Sequence, residues 1–270
     1  MEITMQLIKT LRNSSGVGIG DCKKALEESN GDIEKAGEIL RKKGIAKAAK
    51  RADRETSEGI ILADVNEGST EGYMIEVNSE TDFVALNEKF QEFVNKIFSL
   101  VKEKKPSTVE ELLNMEMEDS TIKEQVESMS GVIGEKIVVN NMAVLKNDNG
   151  TVGSYIHMGG KIGILVSLDK PSKKELAFDI AMQIAATNPQ YLKPEDVPVE
   201  EIEKEKDIYR EQLKNEGKSE EMIEKILAGK INKYYEDVCL IKQEYIKDDK
   251  KKVEEVLGDV KINKFIRYSL

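Results

Sequence analysis

The side chains able to do covalent chemistry are few and poorly arranged for it. His157 is the single histidine among 270 residues, so no histidine pair can hold a metal and no Ser-His-Asp arrangement has another base to use. The two cysteines, Cys22 and Cys239, lie far apart in the chain and suggest neither a disulfide framework nor a metal knuckle. Gly217-Lys218-Ser219 ends like a phosphate-binding loop, but Gln212 occupies the position where that loop needs its first glycine. Gly16, Gly18 and Gly20 follow no strand, which makes them a tight turn rather than a phosphate cradle. Glu76, Glu80 and Asp82 crowd one stretch; between a cation site and hydrated surface carboxylates, the second is expected. With 51 acidic residues scattered along the chain, no hydrolase-type carboxylate pair stands out. The expectation is a protein that makes and breaks no covalent bond, with no metal and no cofactor of its own.

Recognition is left, and the stretch Glu76-Val-Asn-Ser-Glu-Thr-Asp-Phe-Val-Ala-Leu-Asn87 is where to look for it. An apolar run ends at Val77 and a helix-period run begins after Asn87. The polar turn between them carries Phe83 beside Asp82. Aromatics are 5% of the chain and there is no Trp, so a phenylalanine in a turn needs a reason. It either packs beneath its own turn or is presented at the rim of a sheet, where loops on rigid scaffolds carry function.

The elements that must position this turn follow from composition and pattern. Hydrophobic content of 39% and charged content of 34%, with a mean hydropathy of -0.46, describe a helix-rich globular protein. The net charge of -10 and a pI near 5.0 argue against nucleic acid as a direct partner, because binding to phosphate backbones is driven by Lys and Arg. No segment approaches the roughly 18 apolar residues of a membrane span, and the start Met1-Glu2-Ile3-Thr4-Met5-Gln6 lacks a basic region followed by an apolar core. A cytoplasmic protein with a protein partner or a small ligand is expected.

Residues 2–44 read as three short helices. Ile3, Leu7, Ile8 and Leu11 share a face; Asn13-Ser14-Ser15-Gly16 breaks the pattern; a second helix is capped near Asp21, with Cys22, Ala25 and Leu26 inside. Asn30-Gly31 stops it, Asp32 caps a third, and Ile33, Ala36, Ile39 and Leu40 face inward until Gly44. Arg41, Lys42, Lys43, Lys47, Lys50, Arg51 and Arg54, interleaved with alanines, predict a solvated helical linker in preference to a nucleic-acid contact.

From residue 57 the period changes to that of strands. Gly59–Val65 and Tyr73–Val77 predict a β-hairpin around Asn66-Glu67-Gly68. Asn87 is the expected N-cap of a helix whose face is Phe90, Phe93, Val94, Ile97, Phe98 and Val101. Ser107-Thr108 with Glu110-Glu111 offers a capping box for a helix over 108–133, broken near Asp119-Ser120. Ile137–Leu145, Val152–His157 and Ile162–Val166 then read as three strands, followed by a helix after Pro171 that halts at Asn188-Pro189. Strands covered by a helix thus occur twice, which suggests two related α+β halves. Residues 194–240 predict two helices joined at Gly217, a hairpin arm that meets a partner, meets its own twin as a homodimer, or is a plain insertion. Lys247–Lys252 reads as a solvated charge run and Val260–Tyr268 as a closing strand.

Four segments carry a resemblance. Asp21-Cys22-Lys23-Lys24-Ala25-Leu26 and Asn30-Gly31-Asp32; Glu76-Val77-Asn78 with Thr81-Asp82-Phe83-Val84-Ala85; and Ser154-Tyr155-Ile156-His157 followed by Gly160-Lys161-Ile162-Gly163 resemble the bacterial translation elongation factor Ts family, in order and spacing, along nearly the whole chain. The resemblance implies an α+β fold: a ubiquitin-associated-type domain with a basic linker at 1–54, a core N-subdomain at 55–135, and a core C-subdomain at 136–270 that includes a helical hairpin at about 194–240. It implies a guanine nucleotide exchange factor whose partner is elongation factor Tu. That partner carries the GDP, GTP and magnesium, and GDP is released when its magnesium and phosphate site is disturbed. The contact residues implied are Thr81, Asp82, Phe83 and Val84 in the turn, His157 and Gly160 in the second subdomain, and Asp21, Cys22, Lys23 and Lys24 near the N-terminus. The chain departs from the family pattern at Ile19-Gly20, where two methionines can occur, and at Met158-Gly159-Gly160, a residue longer than in some members. It also stops at Leu270, without the C-terminal helical extension of others, so contacts from that extension are expected to be missing. Without the resemblance, the sequence describes an adaptor that binds protein through its three-helix module and leaves nucleotide turnover alone. An adaptor would bind loaded and empty partner alike, whereas an exchange factor must prefer the empty form.

Overall fold

The computed structural model describes residues 3–49 and 51–270; Met1, Glu2 and Lys50, used above for the chain start and the basic run, lie outside them. The first elements are the helices α1 (Met5–Ser15), α2 (Ile19–Glu28) and α3 (Ile33–Ala49). Asn13, Ser14 and Ser15 form the last turn of α1 instead of breaking it. The break comes at Gly16, whose φ of 69° ends the helix in the left-handed conformation that glycine adopts without strain. Asp21 lies in the first turn of α2, and the cap position is Gly18. Asn30 and Gly31 both take positive φ, and Asp32 Oδ1 accepts from the Lys35 amide at 3.1 Å, as the pattern predicts. Ile8, Leu11, Cys22, Ala25, Leu26 and Leu40 close a small core among the three.

The hairpin strands β1 (Glu58–Val65) and β2 (Glu71–Ser79) pair from Glu58 opposite Ser79 to Val65 opposite Gly72. Next come the single turn α4 (Asp82–Ala85) and the long helix α5 (Glu88–Lys104), then α6 (Val109–Leu113), a two-residue strand pair β3 (Glu116–Met117) and β4 (Ser120–Thr121), and α7 (Ile122–Ile133). The helical stretch expected over 108–133 is two helices, and the interruption between them includes the expected break near Asp119-Ser120. Glu118 at φ 59° turns the chain, and a capping box, Thr121 with Glu124, restarts it. The chain continues through β5 (Val138–Lys146), β6 (Thr151–His157), β7 (Ile162–Leu168) and α8 (Lys174–Thr187). After the arm helices α9 (Val199–Asn215) and α10 (Glu220–Val238) come β8 (Glu244–Tyr245), β9 (Asp248–Lys252), α11 (Val253–Leu257) and β10 (Ile262–Ser269).

Two antiparallel sheets, β1-β2-β5 and β10-β7-β6, stack face to face with helices on both outer sides. Strand alternation assigns each side chain to a layer. Tyr73, Ile75 and Val77 of β2 meet α5, whose expected face is buried from Phe90 to Val101. Met74 of β2 points the other way and meets Ile61 and Leu165 between the sheets. Ile164, Val166 and Leu168 of β7 pack on α8 and α11. The sequence places Ile137–Leu145 at the head of the second half, yet β5 pairs with β2 in the first sheet, and β10 completes the second. The chain crosses between sheets at the turn after β5, where the Asn147 amide donates to Thr70 O at 2.8 Å and the Val152 amide to Ser69 O at 2.6 Å.

The basic segment is docked rather than solvated. α3 runs past Gly44 to Ala49 and lies along α7, where Gly44 and Gly131 let the two backbones touch. Arg41 bonds Glu124 at 2.6 Å, and Arg51 Nη1 donates to Ser130 O at 3.2 Å. The arm forms an antiparallel pair as expected, with Ile223, Leu227 and Ile231 turned inward and Ile208 and Met222 left exposed. The charge run at 247–252 is not free chain: β9 pairs with β8, Lys247 bonds Asp179 at 2.6 Å and Lys252 bonds Glu236 at 2.5 Å.

One buried carboxylate makes stability depend on pH. At the start of β2, Glu71 accepts from Lys105 Nζ at 2.5 Å and from the Tyr73 hydroxyl at 2.6 Å. Lys105, then Tyr73, hold the Glu71 carboxyl below its usual range, while burial and then Glu71 push the Tyr73 hydroxyl up to about 12. A depressed carboxyl contributes stability at pH values above its unfolded value and loses it as pH falls through the folded one. Glu71→Gln is therefore expected to melt earlier than wild type at pH 7. The gap should narrow once pH drops below about 4.3, the ordinary glutamate value; melting curves across pH check this, and a gap independent of pH would count against it.

Candidate functional site

The turn after β2 is built to expose what it carries. Thr81 is extended, and the four residues Asp82–Ala85 make one helical turn. Val84 faces inward beside Phe90 and α5, while the Leu86 and Asn87 amides close the turn on Asp82 O and Val84 O at 3.1 and 3.0 Å. Asn87 caps α5 through Oδ1, which accepts from the Lys89 and Phe90 amides at 3.0 and 3.3 Å. With Val84 as the inward residue, Phe83 must point out, and it is 82% exposed. It does not pack beneath its own turn. Leu86, three positions on and so on the same side of a helical turn, is 73% exposed. The two form an apolar knob beside the free Asp82. Leu86 was missed in the sequence, although its spacing from Phe83 is the signal that finds it.

The base of the knob is a network. Thr81 donates twice to Glu135, from its amide to Oε2 at 3.0 Å and from its hydroxyl to Oε1 at 2.7 Å. Glu80 accepts from the Lys136 amide at 2.6 Å and from Arg54 Nη1 at 3.1 Å. Burial pushes the Glu80 carboxyl up, but the Lys136 amide and the Arg54 guanidinium outweigh it and hold the carboxyl below its usual value. Thr81 is thus half-buried and engaged, with only Asp82 and Phe83 of the three free to meet a partner. Glu76 is neither hydrated nor clustered with Glu80 and Asp82: it is buried in β2 and accepts from Asn140 and Asn141 Nδ2 at 2.8 Å each. Among the described residues, no group of His, Cys, Asp and Glu has the arrangement to hold a metal ion.

His157 ends β6 and is exposed, with the Tyr155 hydroxyl 3.0 Å from its Nδ1 and the two rings stacked 5.8 Å apart. Met158, Gly159 and Gly160 all take positive φ, and Met158, the residue after His157, is exposed. Gly160 itself is buried. At φ 102° its Cβ would lie 2.9 Å from Ile60 Cγ1, and its carbonyl accepts from the Ile61 amide at 2.7 Å. It ties the loop to β1 instead of facing outward. Lys161 reaches Glu58 at 3.1 Å, and Glu58 pairs with Ser79 at the foot of the Phe83 turn. The His157 loop and the Phe83 knob therefore emerge at the same end of the stacked sheets.

The third group divides. Lys23 and Lys24 are exposed on α2, and Asp21 bonds Lys47 at 2.9 Å, a hydrogen bond that lowers its carboxyl below the usual range. Cys22 is fully buried, its Sγ 3.4 Å from Val17 O, and Val84 is buried likewise. These two, implied as contacts by the resemblance, are core residues that orient their exposed neighbours. The start of α2 lies along the second half of α3, the half that leads to Arg51 and Arg54, and Gly16 just before it approaches Val132 of α7 and Lys89 in the first turn of α5.

No helix among the described residues is long and apolar enough to cross a membrane. The family described as Elongation factor TS matches residues 80–270. Over 285 residues the chain is 47% identical to elongation factor Ts of a Nitratiruptor species, covering 100% of this chain and 93% of that one. Elongation factor Ts of Chlorobaculum parvum is 45% identical over 284 residues, with 100% and 99% covered. That of Clostridium botulinum, from a type E strain, is 42% identical over 279 residues, with 98% and 92% covered.

Proposed function

The chain belongs to the elongation factor Ts family and so to the translation elongation factors, and from that premise we propose that it is the guanine nucleotide exchange factor of elongation factor Tu. The observation that carries the proposal is Phe83, an aromatic side chain left in water on a braced turn. Phe83 and Asp82 enter the partner beside its magnesium and phosphates; His157, Lys23 and Lys24 hold the partner at other points. This chain needs no nucleotide or metal of its own, and it works in the cytoplasm, where its partner is.

Exchange requires differential binding rather than acids, bases or nucleophiles. A factor that binds the empty partner more tightly than the GDP form must weaken GDP by the same ratio. A shift of about 10⁴ in that equilibrium takes about 5.5 kcal/mol, and burying one Phe supplies about 1.5–3 kcal/mol. Phe83 can distort the site, but the remainder has to come from a broad interface. On this view the units at 1–54, 55–135 and 136–270 are contact modules held in one frame, with β5 of the third lent to the sheet of the second. The test is stopped-flow release of a fluorescent GDP analogue from the same organism's elongation factor Tu. Release should accelerate with the concentration of this protein. Unchanged release despite demonstrable binding would return the chain to the adaptor reading.

A further inference from the structure

Resting on the exchange reading, we propose that Glu135 is a positioning residue that sets the pose of Phe83 by holding Thr81 with both carboxylate oxygens. Thr81 occupies the N-cap position of α4, where a threonine side chain ordinarily accepts from an amide of the first turn. Here it makes no such bond. Its hydroxyl and its amide both donate across 54 positions of sequence to Glu135, at 2.7 and 3.0 Å. The local cap is given up for a long-range one.

A turn of four residues cannot maintain itself, since helix nucleation is unfavourable, and Val84 is its one buried side chain. What fixes the direction of Phe83 is therefore the backbone at Thr81. Glu135 is itself immobilised. Gly134 at φ 91° ends α7 and turns the chain back, and Ser130 Oγ donates to Glu135 O at 2.5 Å. The next residue returns the contact, because the Lys136 amide donates to Glu80 at 2.6 Å. Two adjacent pairs, Glu80-Thr81 and Glu135-Lys136, are thus cross-linked carboxylate to backbone in both directions. Lys136 Nζ extends the link by donating to Ala52 O and Arg54 O at 2.7 and 2.8 Å. Phe83 has almost no packing of its own in the free protein, so a wedge held in place beforehand gives up less freedom on entering the partner than a loose one.

The experiment uses the full chain in wild-type form and as Glu135→Ala and Glu135→Gln, each with Phe83 intact and as Phe83→Ala. GDP-analogue release from elongation factor Tu is measured at saturating concentrations. Glu135→Ala should lower the maximal acceleration about three- to tenfold, the scale of freeing a side chain or two. Glu135→Gln should restore most of it, because an amide can accept from the Thr81 amide with its oxygen and donate to the hydroxyl with its nitrogen. With Phe83→Ala already present, Glu135→Ala should cost nothing more, since the two act through one contact. Hydrogen exchange on the free proteins should show the Thr81 amide exposed in Glu135→Ala while α5 stays protected. Equal cost in both backgrounds, or an unchanged Thr81 amide, would overturn the role of Glu135. Wild-type protein that fails to accelerate release would instead sink the exchange reading, and this role with it.

Discussion

Phe83→Ala is expected to slow GDP release from elongation factor Tu by about ten- to a hundredfold at saturating protein, the equivalent of the 1.5–3 kcal/mol lost with one buried Phe. The thermal unfolding midpoint should hardly move. Both halves follow from exposure: at 82% exposed the ring buries little in the free protein, so truncating it removes no core and leaves no cavity. Its apolar surface is lost only where the partner would have covered it. Phe90, a short way on, is the opposite case, fully buried against β2. Half-saturating concentration should change much less than maximal rate, because the contacts proposed for His157, Lys23 and Lys24 would remain. Asp82→Ala should lower the maximal rate in the same direction. Stopped flow with a concentration series separates the two parameters. If affinity and maximal rate fell together, Phe83 would be an anchor of the interface and not a wedge, and a lowered midpoint would mean that the turn is part of the core.

Local chemistry was legible where the cause is local. The Asn87 cap, the six-residue apolar face of α5 and the stops at Asn30-Gly31 and Asn188 depend on neighbouring residues, and they stand where pattern places them. Cys22 is instructive, because periodicity alone puts it on the inner face of α2 with Ala25 and Leu26, where it lies. The contact region that the resemblance implies includes it, but its side chain faces the core and its neighbours Lys23 and Lys24 face solvent. What could not be read was long-range. A period-two strand such as β5 fits the edge of either sheet, and its pairing with β2 is decided by the turn that crosses between sheets. Whether Phe83 is core or presented depends on what lies above the turn, and the Thr81–Glu135 clamp depends on where α7 ends. In each case the deciding partner is distant in sequence, and no local pattern records it.

The docking of α3 on α7 was hidden for the same reason, and it yields a prediction with an internal control. Gly44 and Gly131 both lie inside helices, where glycine costs about 1 kcal/mol relative to alanine, so each invites the reading of a helix end or a loose joint. Their surroundings differ. A Cβ at Gly131 would fall 2.4 Å from Gly44 Cα and 3.0 Å from its carbonyl carbon and oxygen, all backbone atoms with no rotamer to yield. A Cβ at Gly44 would lie 3.8 Å from its nearest neighbours, an ordinary contact. Gly131→Ala should therefore force the helices apart at an overpacking cost of about 1–3 kcal/mol. It should loosen the Arg51 bond to Ser130 O and expose the basic segment at Arg51 and Arg54 to trypsin. Gly44→Ala should leave the docking intact and gain helix propensity. Limited proteolysis and hydrogen exchange of α3 compare the two directly. Matching protection would mean that the crossing yields to an added methyl, and greater damage from Gly44→Ala would contradict the geometry. If only Gly131→Ala undocks the three-helix unit, its effect on GDP release measures how much the Arg54–Glu80 brace contributes to presenting Phe83, since Glu135 keeps its own hold on Thr81.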